Sequence, residues 1–272
     1  MEWFQALILG IVQGLTEYLP VSSSGHLEIF KDILGIELPA DENLQFDVVV
    51  HAATVLSTIV VLWPMFRDLC RSFFTFRRDE NTTYVWKLIV SCIPVGIVGV
   101  FFKSYVEEIF GSGLLIVGIC LCVPAALLLF AHLSAVRAGK LQRANAGRDI
   151  TWWDAIVIGC AQAVAVLPGL SRSGTTIATG IMLGDRRDKV ASFSFLMVII
   201  PILGEMLLDI KDIVAPDYAA QTDLLSMAVG FVAAFAVGCA ACSWMLNIVK
   251  KGKLWWFAVY CVVMGVICIL WN

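Results

Sequence analysis

Charge is what this sequence has least of. Asp, Glu, Lys and Arg make up 15% of its 272 residues, against 60% hydrophobic, where a soluble domain carries about 25% charged residues. An ordinary soluble domain is thereby excluded. Basic blocks and basic–aromatic interleaving are absent, so no nucleic-acid partner is indicated. The short alternating strands of a membrane β-barrel are missing too, as is a glycine-rich nucleotide-binding loop. The first apolar run has no basic leader and no small-x-small cleavage site, and Glu17 interrupts it. It does not read as a signal peptide, and the chain is expected to keep its N-terminus. Nine cysteines are present, eight inside apolar runs and Cys70 just after one. Cys239 and Cys242 have a metal-like spacing but no polar neighbours and no second pair. They read as small core hydrophobes, like the rest.

What remains is a chain of apolar runs, several near the ~20 residues that cross ~30 Å of hydrocarbon as a helix. Spans are expected at 46–66, 84–102, 113–134, 190–210, 224–246 and 255–271. Residues 3–19 are apolar but carry Gln13 and Glu17 and stop at Pro20, while 21–35 are short and mixed. Interrupted short helices that enter and leave on one side fit 3–35 better than a span, and 152–184 repeats the pattern. Such backbone is tolerated where protein or a water-filled cavity covers it. The expected fold is an all-α integral membrane protein with six transmembrane helices and two re-entrant helix pairs.

An internal repeat supports this plan. Adding 149 carries Gly10 to Gly159, Gln13 to Gln162, Ser24 to Ser173, Gly25 to Gly174 and Phe46 to Phe195. Residues 1–134 form the first repeat, 135–151 a polar linker, and 152–272 the second. Each has a re-entrant pair and three spans. Three is odd, so the second repeat is inverted, a plan familiar in transporters. Arg67, Arg71, Arg77, Arg78, Arg137, Lys140, Arg143, Arg148, Arg186, Arg187, Lys189, Lys250, Lys251 and Lys253 then share one side. Lys31, Lys103 and Lys211 lie on the other, beside Glu107, Glu108, Asp212, Asp217 and Asp223. The positive-inside rule makes the first side cytoplasmic and places both termini outside.

Ionisable groups at membrane depth are costly and point to function. Glu17 follows Gln13 by one helical turn. Its carboxylate could hold a divalent cation or act as a general base, or simply snorkel to water. Ser22-Ser23-Ser24-Gly25-His26 follows Pro20 almost directly. Hydroxyls and free N–H groups at a helix start can cradle an anion, and a histidine nearby can activate a serine; one serine alone would be an N-cap. In the second repeat, Ser171-Arg172-Ser173-Gly174 offers a guanidinium fork for phosphate, or a partner for a carboxylate such as Glu17. Asp47, His51, Glu205 and Asp209 are weaker signals. His51 either lines the same cavity or is a buried, hydrogen-bonded ring. An acid, a hydroxyl cluster, an imidazole and an arginine in a membrane core suit phosphoryl transfer from a lipid-borne phosphate to water.

Gln13-Gly-Leu-Thr-Glu17-Tyr-Leu-Pro-Val-Ser-Ser23-Ser-Gly-His26 and Pro168-Gly-Leu-Ser-Arg172-Ser-Gly-Thr resemble the two signatures of the undecaprenyl-diphosphate phosphatase, or bacitracin-resistance, family. The resemblance implies hydrolysis of undecaprenyl diphosphate to undecaprenyl phosphate and inorganic phosphate, recycling the carrier lipid for peptidoglycan synthesis. It implies a multi-pass protein of the bacterial inner membrane, a site open to the extracytoplasmic face, and dependence on Mg2+ or Ca2+. Carried over by position, Glu17 is the essential acid and tentative metal ligand. Ser23 is the candidate nucleophile, His26 its partner and Arg172 the diphosphate clamp. Gln13, Ser22, Ser24, Gly25, Ser171, Ser173 and Gly174 line the substrate site. Some members have glutamate where this chain has Gln13, which cannot supply a second carboxylate to a metal. The nucleophile stays open among Ser23, His26 and water, and a homodimer is compatible with the sequence. A polyprenyl-phosphate flippase using the same phosphate clamp is the alternative reading.

Overall fold

The computed structural model describes residues 1–36, 39–102, 105, 114–137, 147–213 and 223–271; the side chains of 40, 41, 205 and 208–213 fall outside that description. The expected loop 103–112 lies almost wholly outside the described residues, as do linker residues 138–146, Asp217 and the side chains of Glu205, Asp209, Lys211 and Asp212.

Among the described residues twelve helices account for the fold: α1 (Trp3–Thr16), α2 (Ser23–Ile33), α3 (Ala40–Val61), α4 (Trp63–Phe74), α5 (Glu80–Phe101), α6 (Leu114–Arg137), α7 (Trp152–Val164), α8 (Arg172–Leu183), α9 (Arg187–Met197), α10 (Ile199–Ile213), α11 (Leu224–Lys251) and α12 (Trp255–Trp271). The one β-bridge among them joins Arg148 to Asp185. Four stretches are long and apolar enough to cross a bilayer: Glu42–Val61, Glu80–Phe101, Leu114–Arg137 and Leu224–Lys251, of 20 to 28 residues. Large apolar side chains cover the outside, among them Ile93, Ile97 and Phe101 on α5 and Ile119, Val123 and Phe130 on α6. Lipid is the solvent that suits such a surface. The molecule is an all-α, multi-pass membrane protein.

The helix pairs α1/α2 and α7/α8 are different. Each pair packs on itself across a turn. With 14 residues, α1 is about 21 Å long at ~1.5 Å per residue, too short for ~30 Å of hydrocarbon. The pairs correspond in detail. Glu2 N–H donates to Gln5 Oε1 at 2.9 Å and Thr151 N–H to Asp154 Oδ2 at 2.8 Å, starting α1 and α7 alike. Ser22 Oγ accepts from Gly25 N at 3.3 Å and Ser171 Oγ from Gly174 N at 3.1 Å, starting α2 and α8 alike. All four positions are related by the sequence offset. Helix α1 packs on α11 as α7 packs on α5. Both crossings depend on glycine: a Cβ on Gly10 would lie 2.4 Å from Gly230 O, and one on Gly159 2.3 Å from Ser91 O.

Two expected elements take a different form. The run 190–210 is not one continuous helix, because α9 stops at Met197 and α10 starts at Ile199. Pro201 has no N–H to offer Met197 O four residues earlier, and its ring crowds that carbonyl. The Cys92 thiol donates to Met197 O instead, at 3.4 Å. Likewise the run 46–66 divides at Leu62, next to Pro64, and part of the expected loop 67–83 is the amphipathic helix α4.

Arg148 ties α7 and α8 together at one end. Its Nη2 lies 2.7 Å from Asp154 Oδ1 and its Nε 3.6 Å from Asp185 Oδ1. Lys87 Nζ donates to Ile150 O beside them, at 2.6 Å. Burial, with Asp154 alongside, pushes the Asp185 carboxyl up to about 7.

Candidate active site

Helix α1 ends at Thr16, and the chain turns through Glu17–Ser22 before α2 begins. Tyr18 pins this turn to α3: its hydroxyl donates to Thr54 O at 2.6 Å and contacts the hydroxyls of Ser57 and Thr58. Its ring meets Phe195 edge-on at 5.3 Å. At the far end of the turn Ser22 adopts φ +70°, a conformation uncommon for a residue with a Cβ. Ser23 is thereby placed at the first position of α2, back beside the end of α1.

The Glu17 carboxylate is the meeting point. Its Oε2 accepts from Ser23 Oγ at 2.6 Å and from Gln13 Nε2 at 3.0 Å. Arg172 Nη2, from the first turn of α8, lies 3.6 Å from Oε1. His51 Nε2, from α3, lies 3.8 Å from Oε2. Two cation-capable groups and two hydrogen-bond donors thus surround one carboxylate whose side chain is 8% exposed. The pairing compensates the cost of burying its charge.

The two motif loops also hold each other. Ser173 Oγ is 3.3 Å from both Glu17 O and Leu19 O, so the second motif donates to the turn of the first. A Cβ on Gly174 would stand 2.9 Å from Pro20 Cβ; one on Gly25 would stand 3.4 Å from Gly169 Cα. Those two contacts are exchanged by the same offset of 149. Beside them opens a small cavity of about 20 Å3. Glu17 and Ser173 form its polar end, and Val55, Phe195, Val198, Ile199 and Ile202 its apolar wall.

The sequence has counterparts among known proteins. The family model described as "Bacitracin resistance protein BacA" matches residues 6–267. The chain belongs to that family. Among its relatives, a protein of Bacteroides fragilis is 58% identical and one of Parabacteroides distasonis 57%, each over 99% of this chain and 98% of the relative. One from Methanobrevibacter smithii is 38% identical over 98% of this chain and 96% of its own length. All three are named undecaprenyl-diphosphatase.

Within this member of the bacitracin-resistance family, the residues singled out from sequence divide into two groups. Glu17, Ser23, Gln13, Arg172 and Ser173 converge. Ser22 and Ser171 cap α2 and α8 and hold Ser24 and Ser173 by hydroxyl contacts of 3.4 and 3.3 Å. Gly25 and Gly174 serve the loop contact. His26 goes elsewhere: Nδ1 donates to Ser22 O at 2.8 Å, and Nε2 lies 2.7 Å from Tyr260 Oη on α12. Both ring nitrogens are engaged there, and the ring is 2% exposed. It fastens α2 to α12 rather than meeting Ser23. Gln162, the counterpart of Gln13, is fully buried, and neither end of its amide has a hydrogen-bond partner among the described residues. No acid accompanies it, since the offset places Val166 where Glu17 would be. One motif supplies the carboxylate and the other the guanidinium. His51 is the residue that sequence reasoning left undecided. Its spacing from Asp47, one helical turn, was the available signal.

Proposed function

We propose that this protein hydrolyses undecaprenyl diphosphate to undecaprenyl phosphate and inorganic phosphate, with Ser23 as nucleophile. The observation that carries the reading is the convergence of Glu17, Ser23 and Arg172 from two motifs about 150 residues apart. A serine hydroxyl is a weak nucleophile until a base takes its proton, and Glu17 Oε2 sits 2.6 Å from that hydroxyl. In this reading the Arg172 fork and the free N–H groups at the start of α8 hold the diphosphate. Ser23 Oγ attacks the terminal phosphorus while its proton passes to Glu17. The P–O bond to the bridging oxygen breaks, and undecaprenyl phosphate leaves. Glu17 passes that proton to the departing phosphate; water then attacks the phosphoserine, giving up a proton to Glu17, the P–Oγ bond breaks, and Glu17 returns the proton to Ser23 Oγ as inorganic phosphate leaves. Ser22, Ser24, Ser171 and Ser173 hold the backbone that presents these groups. His26 anchors α2 through Tyr260 and takes no proton.

A divalent cation fits the donor set. Gln13 Oε1 is buried without a hydrogen-bond partner among the described residues, next to the Glu17 carboxylate. Such a cation, held by Glu17 and Gln13, would supply counter-charge to the diphosphate.

The architecture we infer has six membrane passages and two re-entrant pairs, α1/α2 and α7/α8, in two inverted repeats. The matched caps, glycine crossings and exchanged loop contacts support it. The arginine and lysine bias puts both termini and the site opening on the extracytoplasmic face of the inner membrane. There the reaction returns carrier lipid to peptidoglycan synthesis and opposes bacitracin. Phosphate release from a C55 diphosphate by purified protein in detergent tests the activity, with a phospho-enzyme on Ser23 trapped after acid quench. An active Ser23→Ala protein would remove the serine route. Lipid movement across vesicles without phosphate release would replace hydrolysis altogether.

A further inference from the structure

Behind the second motif lies a buried layer of polar side chains. A Cβ on Gly180 of α8 would stand 2.7 Å from Val190 Cγ1 of α9 and 3.3 Å from Ile158 Cδ1 of α7, so these three positions share one level. Helix α7 leads into the loop before Arg172, and α9 ends beside Val198, which lines the small cavity with Ser173. Both therefore run toward the motif, and α8 runs away from it. One turn nearer the motif stand Gln162, Ser194 and Thr176, each four residues from its helix's member of that level. All three are fully buried. Both ends of the Gln162 amide and the Ser194 hydroxyl have no hydrogen-bond partner among the described residues. Thr176 Oγ1 donates to Arg172 O at 2.8 Å and keeps its capacity to accept.

Buried polar groups are costly to leave unmet. The amide presents a donor end and an acceptor end, and none of the three side chains is charged. An ion has no counter-charge in this layer, and an apolar guest would leave the amide unmet. Water both donates and accepts, and a buried water needs about two to four polar partners. The layer supplies them in Gln162 Oε1 and Nε2, Ser194 Oγ and Thr176 Oγ1. A further turn on, about 6 Å at ~1.5 Å per residue, the cavity beside Glu17 has room for another. Its volume of about 20 Å3 exceeds the roughly 10–15 Å3 that one water requires. Glu17, Tyr18, Thr54, Thr58 and Ser173 are among the residues that line it.

We propose that the Gln162, Ser194 and Thr176 layer binds water and, with the cavity beside Glu17, holds an internal reserve for the step that cleaves the phosphoserine. The supply role rests on the serine route proposed above; the binding site does not. Glu17 takes the proton of the attacking water, and its side chain is only 8% exposed. The diphosphate and its lipid fill the open side of the site during the reaction. Water held behind the second motif reaches the phosphoserine without waiting for that side to clear. The repeat gives the two motifs different uses for one residue type. Gln13 donates to Glu17 at 3.0 Å, and Gln162, at the matching position, meets water.

Full-length protein labelled with 13C and 15N, reconstituted in lipid bilayers, is observed by magic-angle-spinning NMR with polarisation transferred from water protons. The chain has six glutamines, so the Gln162 amide signal is assigned by its loss in Gln162→Met. The expected result is that the Gln162 side-chain amide receives water polarisation although it is fully buried. No transfer means a dry layer and overturns the proposal. Ser194→Val removes the hydroxyl and fills the space. It should abolish the transfer and slow breakdown of the phospho-enzyme by about tenfold, while formation of the phospho-enzyme from a C55 diphosphate, followed by rapid quench, keeps its rate. Transfer lost with breakdown unchanged overturns the supply role. A wild-type protein that turns over without any phospho-enzyme overturns the serine route and the supply with it, and the water signal still decides the binding site. That signal is read on the wild type, so it decides the matter even where a variant does not fold.

Discussion

Glu17→Gln is the substitution that most directly tests how the site works. The glutamine has nearly the same shape and can still bond the Ser23 hydroxyl, but it cannot take the proton. Loss of a positioned base costs about 10²–10⁴ in rate, or ~3–5 kcal/mol at ~1.4 kcal/mol per decade. Binding should move the other way. In the wild-type protein Arg172 lies 3.6 Å from Glu17 Oε1, so the carboxylate competes with the diphosphate for the guanidinium. Removing its charge releases Arg172 to the substrate, and KM should stay level or fall. The assay is phosphate release from a C55 diphosphate over a substrate range wide enough to separate kcat from KM. Ser23→Ala and the double variant complete a cycle. A nucleophile and its base act as one unit, so the double variant should be within about threefold of the slower single one. A Glu17→Gln protein within about fivefold of wild-type kcat would refute the base role. Fully multiplying losses in the double variant would refute the shared step.

Other expectations follow from the same coordinates. Gly174→Ala places a Cβ 2.9 Å from Pro20 Cβ and should destabilise the protein by about 1–3 kcal/mol, read as a lower melting temperature together with lost phosphate release. Tyr260→Phe removes the hydroxyl bonded to His26 Nε2. It should cost about 1 kcal/mol or more in stability yet leave kcat within a few-fold, whereas a loss of a hundredfold would return His26 to the chemistry. The Asp185 carboxyl, with an ordinary value of 3.8, is raised to about 7 in the fold. The folded state therefore holds its proton more tightly, and this group's contribution to stability falls as pH rises from about 4 to about 7. Asp185→Asn should flatten that part of a melting-temperature profile; an unchanged slope would assign the pH dependence to another group.

Much of the site was legible because polar residues are rare in this chain. Glu17, the serine run and Arg172 stand out against an apolar background, and the offset of 149 pairs the two motifs from sequence alone. The breaks were harder to read. Residues 190–210 look continuous in hydropathy, and the interruption at Val198 depends on one carbonyl four residues before Pro201. Helix α4 is hidden by its charges, since a short amphipathic helix can carry the same composition as a loop. His26 shows the limit of local spacing. Three residues from Ser23 on one helix, it suggested a pair, but its ring is committed to Tyr260, 234 positions away. His51 was undecided because a helical histidine reads the same whether it lines a site or fills a core, and only the approach of α3 to the Glu17 turn separates the two.

The interlocked loops have a consequence for biogenesis. As the ribosome delivers the chain, Glu17 and Ser23 enter the membrane long before Arg172 and Ser173 have been made. Until the second loop donates to Glu17 O and Leu19 O, the acid lacks its guanidinium and no diphosphate clamp exists. With Arg172 as the proposed clamp, the nascent first half should be inert toward the carrier lipid around it until the second loop has docked. Separately expressed halves, divided within 138–146, should each be silent and regain phosphate release only when made together.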